Sequence, residues 1–149
     1  MRMYPGLSIV TLGVTDVGQS SQFYERLGWR RSKGASNPSI SFFGLNNIVL
    51  ALFARQDLAR DSGFGSPPSQ GVADGFSGIT LAQNYGSSGA VDLAFDSAIA
   101  AGGKSLVEPR RADWGGYHGV FSDPDGHIWE LACNPFLELS ADGTLSLPP

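Results

Sequence analysis

The sequence predicts an α+β chain made of two tandem modules that share one order of elements. Three observations carry this. A strand-like, a helix-like and then further strand-like stretches follow one another twice along the 149 residues. A Gly-, Pro- and Ser-rich stretch separates the two runs. The closing strands also align, Asn47-Ile48-Val49-Leu50-Ala51-Leu52 against Gly126-His127-Ile128-Trp129-Glu130-Leu131, at an offset of 126 − 47 = 79 residues.

Each element has a local reason. Residues 7–14 are β-branched and apolar, as a strand requires. Asp16 with Gln19 three positions on has the form of a capping box, and Gly28 stops the helix that it opens. Within that helix Val17, Ser20, Phe23, Tyr24 and Leu27 make one stripe at helical spacing. A short strand over Trp29–Lys33 precedes strands Ile40–Phe43 and Ile48–Phe53, joined by the turn Gly44-Leu45-Asn46-Asn47. The second run starts with a strand over Phe76–Ala82, opposite which Ile9 aligns with Gly78. A helix follows over Ser88–Ala101, with Val91, Phe95, Ala98 and Ile99 inward and Gly102-Gly103 as its stop. Strands over Ser105–Val107, Gly119–Phe121 and Ile128–Ala132 complete it. The expected organisation is a first module over residues 6–56, a linker over 57–75, a second module over 76–136 and a polar tail over 137–149.

Composition narrows the function. Hydrophobic residues are 42% and charged residues 16%, which is globular rather than disordered. A net charge of −4 gives no basic face for a nucleic acid, and Arg30, Arg31, Lys33, Arg110 and Arg111 read as solvated strand ends. The lone Cys133 allows no intrachain disulfide and reads as a small buried hydrophobe rather than a nucleophile. No apolar run reaches the roughly 20 residues of a membrane span, and no signal peptide opens the chain, so a cytoplasmic protein is expected.

Asp123-Pro124-Asp125-Gly126 suits a type I turn closed by a left-handed glycine, the usual three-residue hairpin loop. Such a turn sets Asp123 opposite His127, Val120 opposite Glu130 and His118 opposite Ala132. His118 and Glu130 then share a face as diagonal neighbours roughly 7–8 Å apart. A slip of one residue would put His118 on the other face. Glu130 stands out because the rest of its strand is apolar, and a carboxylate there needs solvent or a partner. It reads either as facing a solvated groove or an arginine, or as an acid/base group in a cavity. Trp129 and Leu131, of opposite parity, read as core.

The segment Gly115-Gly116-Tyr117-His118-Gly119-Val120-Phe121-Ser122-Asp123-Pro124-Asp125-Gly126-His127-Ile128-Trp129-Glu130-Leu131 resembles the C-terminal signature of the vicinal oxygen chelate superfamily, which includes glyoxalases, bleomycin-resistance proteins and extradiol dioxygenases. Val14-Thr15-Asp16-Val17 followed by Phe23-Tyr24-Glu25-Arg26-Leu27-Gly28-Trp29 is similar to its N-terminal signature. The resemblance spans about residues 6–136. It implies two βαβββ modules whose curved mixed sheets join into a cup, with helices on the convex face. It also implies four metal-ligand positions, which fall on Ile9, Ala51, Gly78 and Glu130. Only Glu130 carries a donor suited to a divalent ion, so no bound metal and no cofactor are expected.

A cup without a metal is still a pocket. Alternation puts Val49, Ala51 and Phe53, with Ile128, Glu130 and Ala132, on its concave side, and Trp114 and Tyr117 at its entrance. Trp114 and Tyr117 read equally as ordinary packing at a strand end. Three functions follow as expectations. One is a binder of a small organic molecule, like bleomycin-resistance proteins. Another is a metal-free lyase or isomerase acting on a carbonyl compound, with Glu130 as general base and His118 beside it. The third is an interface module. The superfamily's habit of pairing modules between chains implies a homodimer.

Overall fold

The computed structural model describes residue 3 and residues 5–64 and 76–149. The chain divides into two compact units, Met1–Ser69 and Gln70–Pro149.

In the first unit strand β1 (Ile9–Val14) leads to helix α1 (Val17–Arg26), then strands β2 (Ile40–Gly44) and β3 (Val49–Ala54) and helix α2 (Arg55–Asp61). Asp16 caps α1 as its sequence requires, its Oδ1 accepting from Gln19 N at 2.8 Å. The sheet order is β1-β3-β2, with β1 parallel and β2 antiparallel to β3. The core lies between the sheet and α1. Tyr24 stacks on Trp29 at 5.3 Å and tilts onto Phe43 at 5.9 Å, and Ser21 of α1 donates to Ser41 of β2 at 2.7 Å. Phe43 pairs with Leu50 and Ser41 with Leu52, so both leucines face α1 and are fully buried. Val49, Ala51 and Phe53 therefore lie on the other face.

The strand expected over Trp29–Lys33 is only a bridge between Arg31 and Phe43. The chain instead curls back on itself, Ser36 N donating to Ser32 O at 3.0 Å and Asn37 N to Ile40 O at 2.9 Å. Gly34 and Pro38, both turn formers, shorten the strand. This unit is thus βαββ with an added helix. That helix, α2, occupies the start of the stretch that composition reads as linker, and residues 65–75 of the stretch lie outside the described residues.

The second unit has the full βαβββ order: β4 (Leu81–Asn84), α3 (Ser88–Ala100), β5 (Lys104–Arg111), β6 (Tyr117–Ser122) and β7 (Ile128–Cys133). A two-residue-stranded hairpin, β8 (Glu138–Leu139) and β9 (Leu145–Ser146), follows where a plain tail is expected. The sheet order is β4-β7-β6-β5, and β4 runs parallel to β7 as β1 does to β3. Helix α3 turns Val91, Phe95 and Ala98 inward, and Phe121, Trp129 and Leu131 of the sheet are buried with them. Ile99, expected among the inward residues, is 36% exposed.

Strand β4 starts five residues later than the expected Phe76, because Gly78 adopts φ +83°, which breaks an extended run. The pairing also corrects the internal alignment. Ile9 lies beside Val49, and 49 + 79 = 128; carrying the Leu81–Trp129 pairing back by one residue sets Thr80, just before β4, against Ile128. Thr80, two residues beyond Gly78, is thus the counterpart of Ile9.

Candidate functional site

The β6–β7 turn fixes everything that follows. Asp123, 3% exposed, accepts through Oδ1 from Asp125 N and His127 N, both at 2.9 Å. Its own N–H donates to His127 O at 2.9 Å, and Gly126, at φ +86°, closes the loop by donating to Asp123 O at 3.0 Å. The resulting register pairs Val120 with Glu130 and His118 with Ala132. His118 and Glu130 are diagonal neighbours on the face opposite α3, where Nδ1 and Oε2 meet at 2.8 Å.

A carboxylate only accepts, so the imidazole N–H of this contact is on Nδ1, and in the neutral ring Nε2 keeps its lone pair. Among the described residues Nε2 bonds nothing. The side chains are 18% and 30% exposed, so the pair is sheltered yet reachable. Glu130 thus holds the ring by Nδ1 and leaves Nε2 as its unengaged acceptor, an arrangement that suits an oriented general base. Ile128 is half-buried on the same face and Ala132 is buried.

Trp114 completes the group. It sits in the turn between β5 and β6, where Ala112 N donates to Gly116 O at 2.8 Å and Gly115 N to Ala112 O at 3.0 Å. Its indole stands edge-on to His118, ring centres 6.1 Å apart. Gly116 makes room for it. A Cβ there would lie 2.0 Å from the indole and 2.8 Å from Cys133 O, so only glycine lets the ring fold over. Trp114 remains 43% exposed, an aromatic wall rather than core.

Tyr117 is not part of this group. It stands on the α3 face, and its hydroxyl donates to Asp92 Oδ1 at 2.8 Å. That hydrogen bond, then desolvation, then the Asp92 charge hold its pKa above the usual tyrosine range. His127 is engaged through its backbone in the turn. Val49, Ala51 and Phe53 line the face of the first sheet that points away from α1; Ala51 is buried and the other two half-buried.

Arg110 reads from the sequence as a solvated strand end rather than part of an anion site. The register places it directly across from His118, on the same face. Two irregularities in β5 bring this about, one between Ser105 and Val107 and one between Val107 and Arg110. Pro109 inside a strand was the available signal, since proline in a strand marks an edge or a bulge.

The residues at the positions that chelating relatives use, whether the second first-strand position is taken as Gly78 or as Thr80, do not fit a divalent ion. Ala51 and Gly78 offer no side-chain donor, Ile9 is aliphatic, and Thr80, the register counterpart of Ile9, offers a hydroxyl. Glu130 alone has a suitable group, and it is hydrogen-bonded to His118. Among the described residues no three His, Cys, Asp or Glu side chains converge.

A βαβββ unit whose first strand pairs parallel with its last is the building block of a paired-module α+β fold. The chain belongs to the Glyoxalase/Bleomycin resistance protein/Dioxygenase superfamily, which matches residues 6–131. It is similar to a glyoxalase-related enzyme from Fulvimarina pelagi, with 33% identity over 98% of this chain and 100% of that one, at a TM-score of 0.83. A glyoxalase/bleomycin resistance protein/dioxygenase from Nocardioides shares the fold at 22% identity, over 89% of this chain and 85% of that one (TM-score 0.73). So does a lactoylglutathione lyase from Agrobacterium tumefaciens, at 19% identity over 89% and 96% (TM-score 0.64). No curated protein matches the chain. No helix among the described residues is long and apolar enough to cross a membrane.

Proposed function

We propose that the chain binds a small organic molecule, without the help of a metal ion, on the open face of its second sheet. The observation that carries this is the sheltered His118–Glu130 pair set beside the exposed Trp114 indole, with the aliphatic Val120 and Ile128 and the small Ala132 as strand neighbours on the same face. An aromatic wall with a few placed polar atoms is what a small-molecule site needs. Thermal shift against a panel of aromatic and carbonyl compounds, run with and without a chelator, tests it. The expected result is stabilisation by some members, unchanged by chelator and lost in Trp114→Ala and Glu130→Ala. A stoichiometric metal ion in the purified protein, released by Glu130→Ala, would overturn the metal-free reading.

The 2.8 Å contact also favours a second reading, turnover of the bound molecule. With Glu130 bonded to Nδ1, the base in this reading is His118 in place of the Glu130 expected from the sequence: Nε2 would take a proton from carbon next to a carbonyl, Glu130 would stabilise the imidazolium through Nδ1–H, and the same proton would return to a neighbouring atom of the substrate. The net change is an isomerisation that needs no oxidant. The similarity to a glyoxalase-related enzyme supports it. A bell-shaped pH–rate profile and a fall of about 10²–10⁴-fold in His118→Ala are expected. A flat profile across carbonyl substrates would remove it.

A further inference from the structure

We infer that the molecule bound at this site is a planar anion, an aromatic or conjugated carboxylate, whose charge is held by Arg110. The inference rests on the site proposed above and adds the charge of its occupant.

Counted from Val107 in strict alternation, Pro109 would stand opposite His118 and Arg110 would turn toward α3. The extra residue in β5 reverses this. The reversal is locked by packing: a Cβ on Gly119 would lie 3.0 Å from the Pro109 ring and 2.9 Å from Phe95, so the proline fills the α3 side of β6 where glycine leaves space. Arg110 is thereby sent to the open face, directly across from His118.

The charges on that face are unbalanced. Its strand side chains include two cations, Arg110 and Lys104, the latter paired with Ser122. The one strand carboxylate there is Glu130, already bonded to His118. Three other carboxylates of the unit are engaged elsewhere: Asp92 accepts from Tyr117, Glu108 from Ser105, and Asp123 from its own turn. Arg110 forms no ion pair among the described residues. Arg110 and Glu130 belong to strands two apart, so about 10 Å of sheet with His118 between them separates the anion's seat from the carboxylate. A guanidinium fork grips a carboxylate with two parallel hydrogen bonds. Trp114, on the turn that joins the strands of Arg110 and His118, offers the flat surface beside it.

Titration calorimetry with 2-naphthoate and its uncharged isostere 2-naphthamide tests this on the full chain. Wild type is expected to bind the carboxylate about tenfold or more tightly than the amide. Arg110→Gln should erase the preference by weakening the carboxylate alone, and Arg110→Lys should restore part of it. Equal affinity of wild type for the two probes, or an undiminished preference in Arg110→Gln, would overturn the inference. If both probes bind equally and Trp114→Ala loses both, the site stands and only its charge selectivity falls. If neither probe binds wild type, the anion inference falls, and the site itself is decided by Trp114→Ala in the compound panel.

Discussion

Two tyrosine-sized decisions show how much a single residue settles here. Parity along β6 sends His118 to the open face and Tyr117 to the helix, where its hydroxyl reaches Asp92. The period-two rule that places His118 beside Glu130 also turns Tyr117 to the other face, so parity along β6 parts Tyr117 from Trp114, beside which the sequence sets it at the entrance. The bond to Asp92 makes a pH prediction. A tyrosine whose folded pKa is raised contributes stability that is fully present below its unfolded pKa and is lost as pH rises through the folded value. Denaturant melts from neutral to alkaline pH should show wild type losing more stability than Tyr117→Phe over that range. Identical slopes would mean that the bond does not form in solution.

At the scale of elements, what was readable is what local chemistry dictates. The Asp16 cap, the Gly28 stop and the Asp-Pro-Asp-Gly turn depend on neighbours within four residues, and the hairpin register followed from the turn. Three things were not readable. Strand β5 carries two irregularities that shift every later side chain, and only Pro109 hints at them. The Trp29–Lys33 strand shrank to a bridge and β4 lost its first residues, both through turn-forming residues inside an apolar pattern. The seat of Trp114 depends on space above Gly116, which sequence does not display. Because Asp123 holds two backbone N–H groups from a nearly buried position, Asp123→Ala should cost about 1–3 kcal/mol in denaturant unfolding. Since the turn also sets His118 against Glu130, ligand-induced stabilisation should shrink with it. A loss of stability with the ligand response intact would show that the strands keep register without the turn.

Across the whole chain, each unit has its own sheet and its own buried aromatic centre, Tyr24 with Phe43 in the first and Phe95 with Phe121 and Trp129 in the second. Interior strands are bonded on both sides: β3 in the first unit, β6 and β7 in the second. Hydrogen exchange should therefore find the slowest amides in these three strands, with the short β8–β9 pair exchanging early. Protection of β8–β9 equal to that of β7 would mean that the terminal hairpin belongs to the cooperative unit. The recurrence of strand order, legible as a repeat, is real in both sheets; the family's chelating residues did not come with it.

The two halves have also diverged in what they can do. At the position where the second half carries Glu130, the first carries Ala51, and across from it Phe42 stands where the second half has Val120. A repeated architecture with one acid-bearing strand is a scaffold released from symmetry: the proposed site predicts saturation at one equivalent per chain and not two.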